Sequence, residues 1–160
     1  MSHPSLGLPP IDAFAGDPAS AEGLRRDRRR IGERAIAYAS DQDATFGDRY
    51  EGSRLDELRL DVDSIVNRLA DAVAANHPDG VARWAEMVVP RFRKKAVSMD
   101  DLTLLFEGLR RAAPAVVEPD TMASVDAALD AGIAVFKWHR RIAGDARKRH
   151  PLLDAIYKGA

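Results

Sequence analysis

Apolar residues recur at steps of three and four almost without a break from Ser53 to Ile142. Leu55, Leu58, Val62, Ile65, Leu69 and Val73 form one such series, and Val81, Trp84, Val88 and Phe92 a second. Leu102, Leu105 and Leu109 follow, then Met122, Val125, Leu129, Ile133 and Phe136. This spacing places each series on one face of a helix and leaves little room for a strand. Punctuation between the series sets the boundaries. A thin stripe of Leu24, Ile31, Ala35 and Tyr38 predicts a first helix over 20–40, and 41–52 reads as an acidic, Gly-containing loop anchored by Phe46 and Tyr50. Ser53 with Asp56, and Ser98 with Asp101, have the spacing of N-terminal caps, so helices open at 53 and 98. A helix from about Pro78 to Lys95 contains Pro90, which removes a backbone donor and predicts a kink or break. A fifth helix runs from about Asp120 to Ala143 and stops at Gly144, and a short sixth follows Pro151 with Leu152, Leu153, Ile156 and Tyr157 inward. The expected fold is all-α: an antiparallel bundle of five to six helices, one kinked near Pro90.

Residues 1–18 interrupt this pattern. Pro4, Pro9, Pro10 and Pro18 with Gly7 and Gly16 predict an N-terminal arm, leaving 19–160 as a single helical-bundle domain. Leu6, Leu8, Ile11 and Phe14 are many apolar residues for a solvated tail. Such an arm is either flexible or packed, across its own bundle or onto a neighbouring subunit.

Composition removes whole classes of chemistry. The chain has no cysteine, which excludes disulfides, thiolate metal sites, thiol catalysis and thioether-linked cofactors, and suits a reducing cytoplasm. Its formal net charge is -1, so overall charge favours neither nucleic acid nor membrane. The N-terminus lacks the charged-then-apolar order of a signal peptide, and no apolar run has the length of a membrane span. Heavy use of Ala, Arg and Asp suits a GC-rich bacterial genome.

Three groups of side chains are candidates for function. Trp84, Phe92, Phe106 and Phe136 lie on apolar stripes, where they either fill the core or line a pocket for a small ligand. Residues 137–150 carry six Lys or Arg against one Asp, with Trp138 among them. Trp138, Arg140, Arg141, Arg147, Lys148 and Arg149 therefore form a candidate interface or anion-contact surface, and nucleic-acid binding is one use of it. The Arg25–Arg30 run winds around its helix and is expected to pair with acidic residues such as Asp56, Asp61 and Asp63. His77, His139 and His150 lack the spacing of metal ligands, and no metal or cofactor is predicted. Glu86 and Glu107 lie beside apolar faces, at rim positions or as buried acids. No catalytic motif stands out.

From Tyr50 to Gly132 the order is a Leu-rich helix, Arg83-Trp84 in a shorter helix with a basic end, a Val97-Ser98 turn and two further helices. In this it resembles the all-helical regulatory or sensor bundles of bacteria, globin-like types without haem among them. That resemblance carries no motif residue over. It implies a stand-alone partner protein. With no catalytic motif, and with long paired helices, an apolar arm and opposed charge blocks that suit an interface, the expected function is that of a non-enzymatic regulatory or scaffold protein acting by protein contact as a homo-oligomer. The alternative is a small-molecule-sensing or carrier bundle with an aromatic-lined pocket, and a third reading is nucleic-acid binding through the C-terminal basic cluster.

Overall fold

The computed structural model describes residue 12 and residues 14–149, with side chains through Ala143. The helix expected after Pro151 and most of the N-terminal arm lie outside the described residues. Within them the chain forms seven α-helices and no strand. These are α1 (Pro18–Arg26), α2 (Arg28–Gln42), α3 (Phe46–Arg49), α4 (Ser53–Ala75), α5 (Asp79–Lys94), α6 (Met99–Ala112) and α7 (Met122–Arg149).

Seven replaces the expected five to six for two local reasons. The first predicted helix divides at Asp27, where the Arg28 guanidinium donates to the Arg25 carbonyl at 2.9 Å. The predicted 41–52 loop also contains a single helical turn, α3, seated by the buried side chains of Phe46 and Tyr50. Two further boundaries differ. Ser53 is the first helical residue rather than a cap, with Gly52 preceding it at φ 55°. The last helix passes through Gly144 to Arg149 instead of stopping there. Pro90 does not break α5, which continues to Lys94. Because Pro90 is exposed, the carbonyl it leaves unpaired lies on a wet side of the helix.

Partner residues give the direction of each helix. Arg25 meets Asp71, Arg28 approaches Asp63 and Arg59 meets Glu33, so α1 and α2 run antiparallel to α4. Asp61 meets Arg91 while Glu57 approaches Lys95, making α4 and α5 an antiparallel hairpin. Arg110 meets Asp126, and Asp100 meets Arg140, so α6 and α7 are antiparallel. In contrast, a Cβ on Gly132 would touch Val81 while Glu86 pairs with His139, which makes α5 and α7 parallel. The helices close a ring in the order α2, α4, α5, α7, α6, with α1 extending α2 along α4. The bundle is thus antiparallel except for one adjacent pair.

The predicted faces fill its interior. Leu58, Val62, Ile65, Leu69 and Val73 of α4 are buried with Leu102, Leu105 and Leu109 of α6 and Val125, Leu129, Ile133 and Phe136 of α7. The ring closes where α2 crosses α6. A Cβ on Gly108 would lie 2.7 Å from both Cα and O of Ala35, so the two backbones touch with no side chain between them. At the other end the arm begins to pack: the N–H groups of Gly16 and Asp17 donate to the Ala74 and Val73 carbonyls at 2.8 and 3.2 Å. Residues 16–18 therefore belong to the bundle, and the Gly16 N–H meets a carbonyl in the last turn of α4.

Gly108→Ala is expected to push α2 from α6 and lower unfolding free energy by about 1–3 kcal/mol. Gly47→Ala, whose Cβ would meet nothing within 4 Å, serves as the control and should stay within about 0.5 kcal/mol of the parent. Urea denaturation followed by circular dichroism measures both.

Candidate functional site

The four candidate pocket aromatics are packed rather than poised around a space. Phe106 and Phe136 meet edge to face with ring centroids 5.0 Å apart, and Trp84 meets Phe92 in the same way at 6.3 Å. Phe92, Phe106 and Phe136 are buried and Trp84 is half-buried. Two hollows occur elsewhere. One of about 430 Å³ lies between α2 and α4 over Gly32, Ile36, Leu60 and Val62. The other, of about 320 Å³, is bordered by Arg25, Arg68, Asp71 and His77. Neither is lined by any of the four aromatics; Phe92, Phe106 and Phe136 lie in the core and Trp84 packs against it.

A buried carboxylate that the sequence presents as a helix cap is the densest polar centre. Ser98 does cap α6, accepting from the Asp101 N–H at 3.0 Å. The Asp101 side chain turns inward instead of back to the cap. It accepts from Arg49 Nε at 3.2 Å, Arg49 Nη2 at 2.6 Å and the Tyr50 hydroxyl at 2.6 Å. Arg49 Nη2 also reaches Asp43 at 2.6 Å. Arg54 donates to the Lys95 carbonyl at 3.2 Å and lies over the Tyr50 ring. One turn of helix thus binds α4 and the α5–α6 connection to the start of α6. Asp101 thus accepts three hydrogen bonds, two of them from one guanidinium, which compensate its charge where it is buried. A buried charge of this kind is stable only when fully paired.

The basic residues are divided by the fold. Arg140 pairs with Asp100 at 3.0 Å. Arg141 lies over the Trp138 ring at 6.0 Å. Arg147, Lys148 and Arg149 belong to the last turns of α7, and their side chains lie outside the described residues. The Arg25–Arg30 run pairs with Asp71, Asp27 and, of the three acids expected, Asp63, whereas Asp56 is taken by Arg59 and Asp61 by Arg91 and Lys95. His139 binds Glu86 at 2.7 Å and His77 contacts Arg83. Glu107 pairs with Arg110 at the rim. Among the described residues no three His, Asp or Glu side chains gather to hold a metal ion.

Phe14, Leu60 and Met87 are exposed on other elements, and one side of α7 carries a longer exposed apolar row. Its core face carries Val125, Leu129, Ile133 and Phe136. A second apolar face carries Ala127, Ala131, Ala134, Val135, Trp138 and Ile142, again at steps of three and four. Trp138 is 54% exposed and Ile142 47%. Ala127 and Ala134 are exposed, and Ala131 and Val135 half-buried. Trp138 is thus where the sequence points to a contact surface. The stripe around it escapes notice because alanines make most of it. Comparison with protein-family models, with curated proteins and with solved structures found no match.

Tyr50→Phe should cost about 1.5–3 kcal/mol, the range for a hydrogen bond to a charged group. Asp101→Ala should cost about 3 kcal/mol, the low end for a broken buried pair because Arg49 keeps solvent contact. Thermal unfolding of the two variants checks the order. Two carboxyls set the acid limit. Arg49 and then Thr45 hold Asp43 down at about 2, and Ser20 and Thr121 do the same for Asp17, against an ordinary value of 3.8. The unfolded chain binds more protons between these values, so their stabilisation is present above about pH 4 and is lost as pH falls towards 2. At the alkaline end, burial and the bond to Asp101 push the Tyr50 hydroxyl up from 10.0, so its contribution is present below pH 10 and falls above it. Urea midpoints measured across pH give both limbs, and Asp43→Asn should flatten the acid one.

Proposed function

We propose that the protein is a non-enzymatic regulatory or scaffold protein that works by protein contact, and that its working surface is the outer face of α7. The observation that carries this reading is the second apolar stripe of α7. A helix that has already buried one face gains nothing for its own fold by exposing Trp138 and Ile142 on another. Large exposed side chains at steps of three and four are the anchors by which one helix docks on a partner. Aromatic and Arg side chains together, as in Trp138 and Arg141, are the types that concentrate binding energy at interfaces.

The other readings have less support. A sensing or carrier role needs a cavity, and the aromatics proposed to line it fill one another's space. The α2–α4 hollow is bordered by the ion pair between Arg59 and Glu33 and by Asp63, and its exposed Leu60 leaves it open to solvent. Nucleic-acid binding needs free cations, and of the candidates with described side chains Arg140 is paired with Asp100.

Native mass spectrometry of the untagged chain, with an absorbance scan of the same sample, tests the reading. The expected result is an integral multiple of the chain mass with no absorbance beyond that of Trp and Tyr. Excess mass held in stoichiometric amount, or visible absorbance, would overturn it in favour of a carrier.

A further inference from the structure

The outer face of α7 is graded along its length in two respects. Size is the first: Ala127 and Ala131 occupy the N-terminal part of the stripe, Trp138 and Ile142 the C-terminal part. Charge is the second. Within α7, Asp126 and Asp130 and no Lys or Arg precede Lys137, whereas six Lys or Arg and one Asp follow from Lys137 to Arg149. At 3.6 residues per turn, Asp130, Lys137 and Arg141 lie along one edge of the apolar stripe. Asp130 is well exposed, at 69% of its side chain. It shares the Arg110 guanidinium with Asp126 and Glu107, so three carboxylates meet one cation and the edge keeps surplus negative charge. Among the described residues Lys137 has no carboxylate partner.

Resting on the reading of α7 as a contact face, we infer that its occupant is a second copy of this chain, with the two α7 helices packed antiparallel about a twofold axis between Ala134 and Val135. A twofold interface must be complementary to itself, each patch meeting its own copy. Both gradients satisfy that condition in one register. With the axis at that point Trp138 lies opposite Ala131 of the other copy and Ile142 opposite Ala127, so each large side chain meets a small one. In the same register Asp130 falls between Lys137 and Arg141 of the other copy, because antiparallel helices bring like edges together. A parallel pairing in register would instead set Trp138 on Trp138 and turn the edges that carry Asp130, Lys137 and Arg141 away from each other. The antiparallel arrangement also places the C-terminal end of each α7 dipole towards the N-terminal half of the other.

The test uses the full-length chain and two charge variants, Asp130→Lys and the pair Lys137→Glu with Arg141→Glu. The parent should be a dimer by native mass spectrometry and light scattering. Each variant alone should dimerise at least about tenfold more weakly, since both copies of the contact become like-charged. Mixed together, the two variants should form a heterodimer, because every reversed charge then faces an opposite one. Unchanged circular dichroism and Tm separate lost association from lost folding, and Trp138→Ala should weaken the dimer without altering charge. A monomeric parent would overturn the pairing and leave α7 as a face for a different protein. A dimer untouched by the charge variants and by Trp138→Ala would overturn both the pairing and the α7 contact face. Variants that are monomeric alone and remain so when mixed would overturn the register.

Discussion

Five long helices joined by short connections alternate in direction along the chain, and a closed ring with an odd number of members cannot make every adjacent pair antiparallel. One adjacent pair has to run parallel. Here α5 and α6 barely touch, and α7 lies between them, parallel to α5 and antiparallel to α6. Gly132 and the Phe106–Phe136 contact sit where α7 meets both neighbours. The parallel pair brings two helix C-termini to one end of the bundle, where their dipoles repel. That same end receives the N-termini of α4 and α6, where Asp100 in the first turn of α6 pairs with Arg140, and Glu57 and Asp61 further along α4 meet Lys95. The odd ring therefore settles where α7 lies, which of its sides are buried and how charge is distributed at its basic end.

Helix ends supply the second organising force. Asp17 accepts from the Ser20 N–H and from the Ser20 and Thr121 hydroxyls, and so ties the start of α1 to the turn before α7. Asp101 does the equivalent for α3 and α6. In both places a carboxylate near a helix terminus is used twice, once for its backbone position and once for a long-range bond. Ala96 belongs to the same region. It takes φ 55° at the end of α5, where the Val97 N–H closes on the Phe92 carbonyl at 2.9 Å. The strain of a left-handed alanine is accepted because Arg54 and the Asp101 centre fix the connection on either side.

These features mark the limit of what local sequence conveys. Helix faces were legible because burial repeats with the helix period, and Leu58, Val62, Leu105 and Phe136 stand where that period places them. The Ser98 cap was legible for the same reason, being a contact three residues long. The inward turn of Asp101 was not, because its partners Arg49 and Tyr50 are about fifty positions away and nothing nearby distinguishes it from a cap. The aromatics were placed correctly on their stripes, but only the packing of α5 against α4 and of α6 against α7 decides whether a stripe closes on itself or leaves a cavity. The division at Asp27 was hidden by a run of arginines that reads as uninterrupted helix.

The α7 face raises a different problem of legibility. A pattern search keeps the strongest apolar stripe, and a second stripe built mainly of alanine scores as background even when it ends in a tryptophan. Alanine is the best helix former, so alanines on a surface helix need no function. Trp138 and Ile142 do, because each gives up favourable burial by remaining wet. Neither gradient is explained by the chain's own interior, since the core face of α7 is supplied by other residues and Arg110 already leaves its carboxylate cluster undercompensated. Either gradient alone would suit many partners. Two gradients of different physical origin that become complementary in the same antiparallel register favour a second α7 as the surface that α7 is shaped to meet.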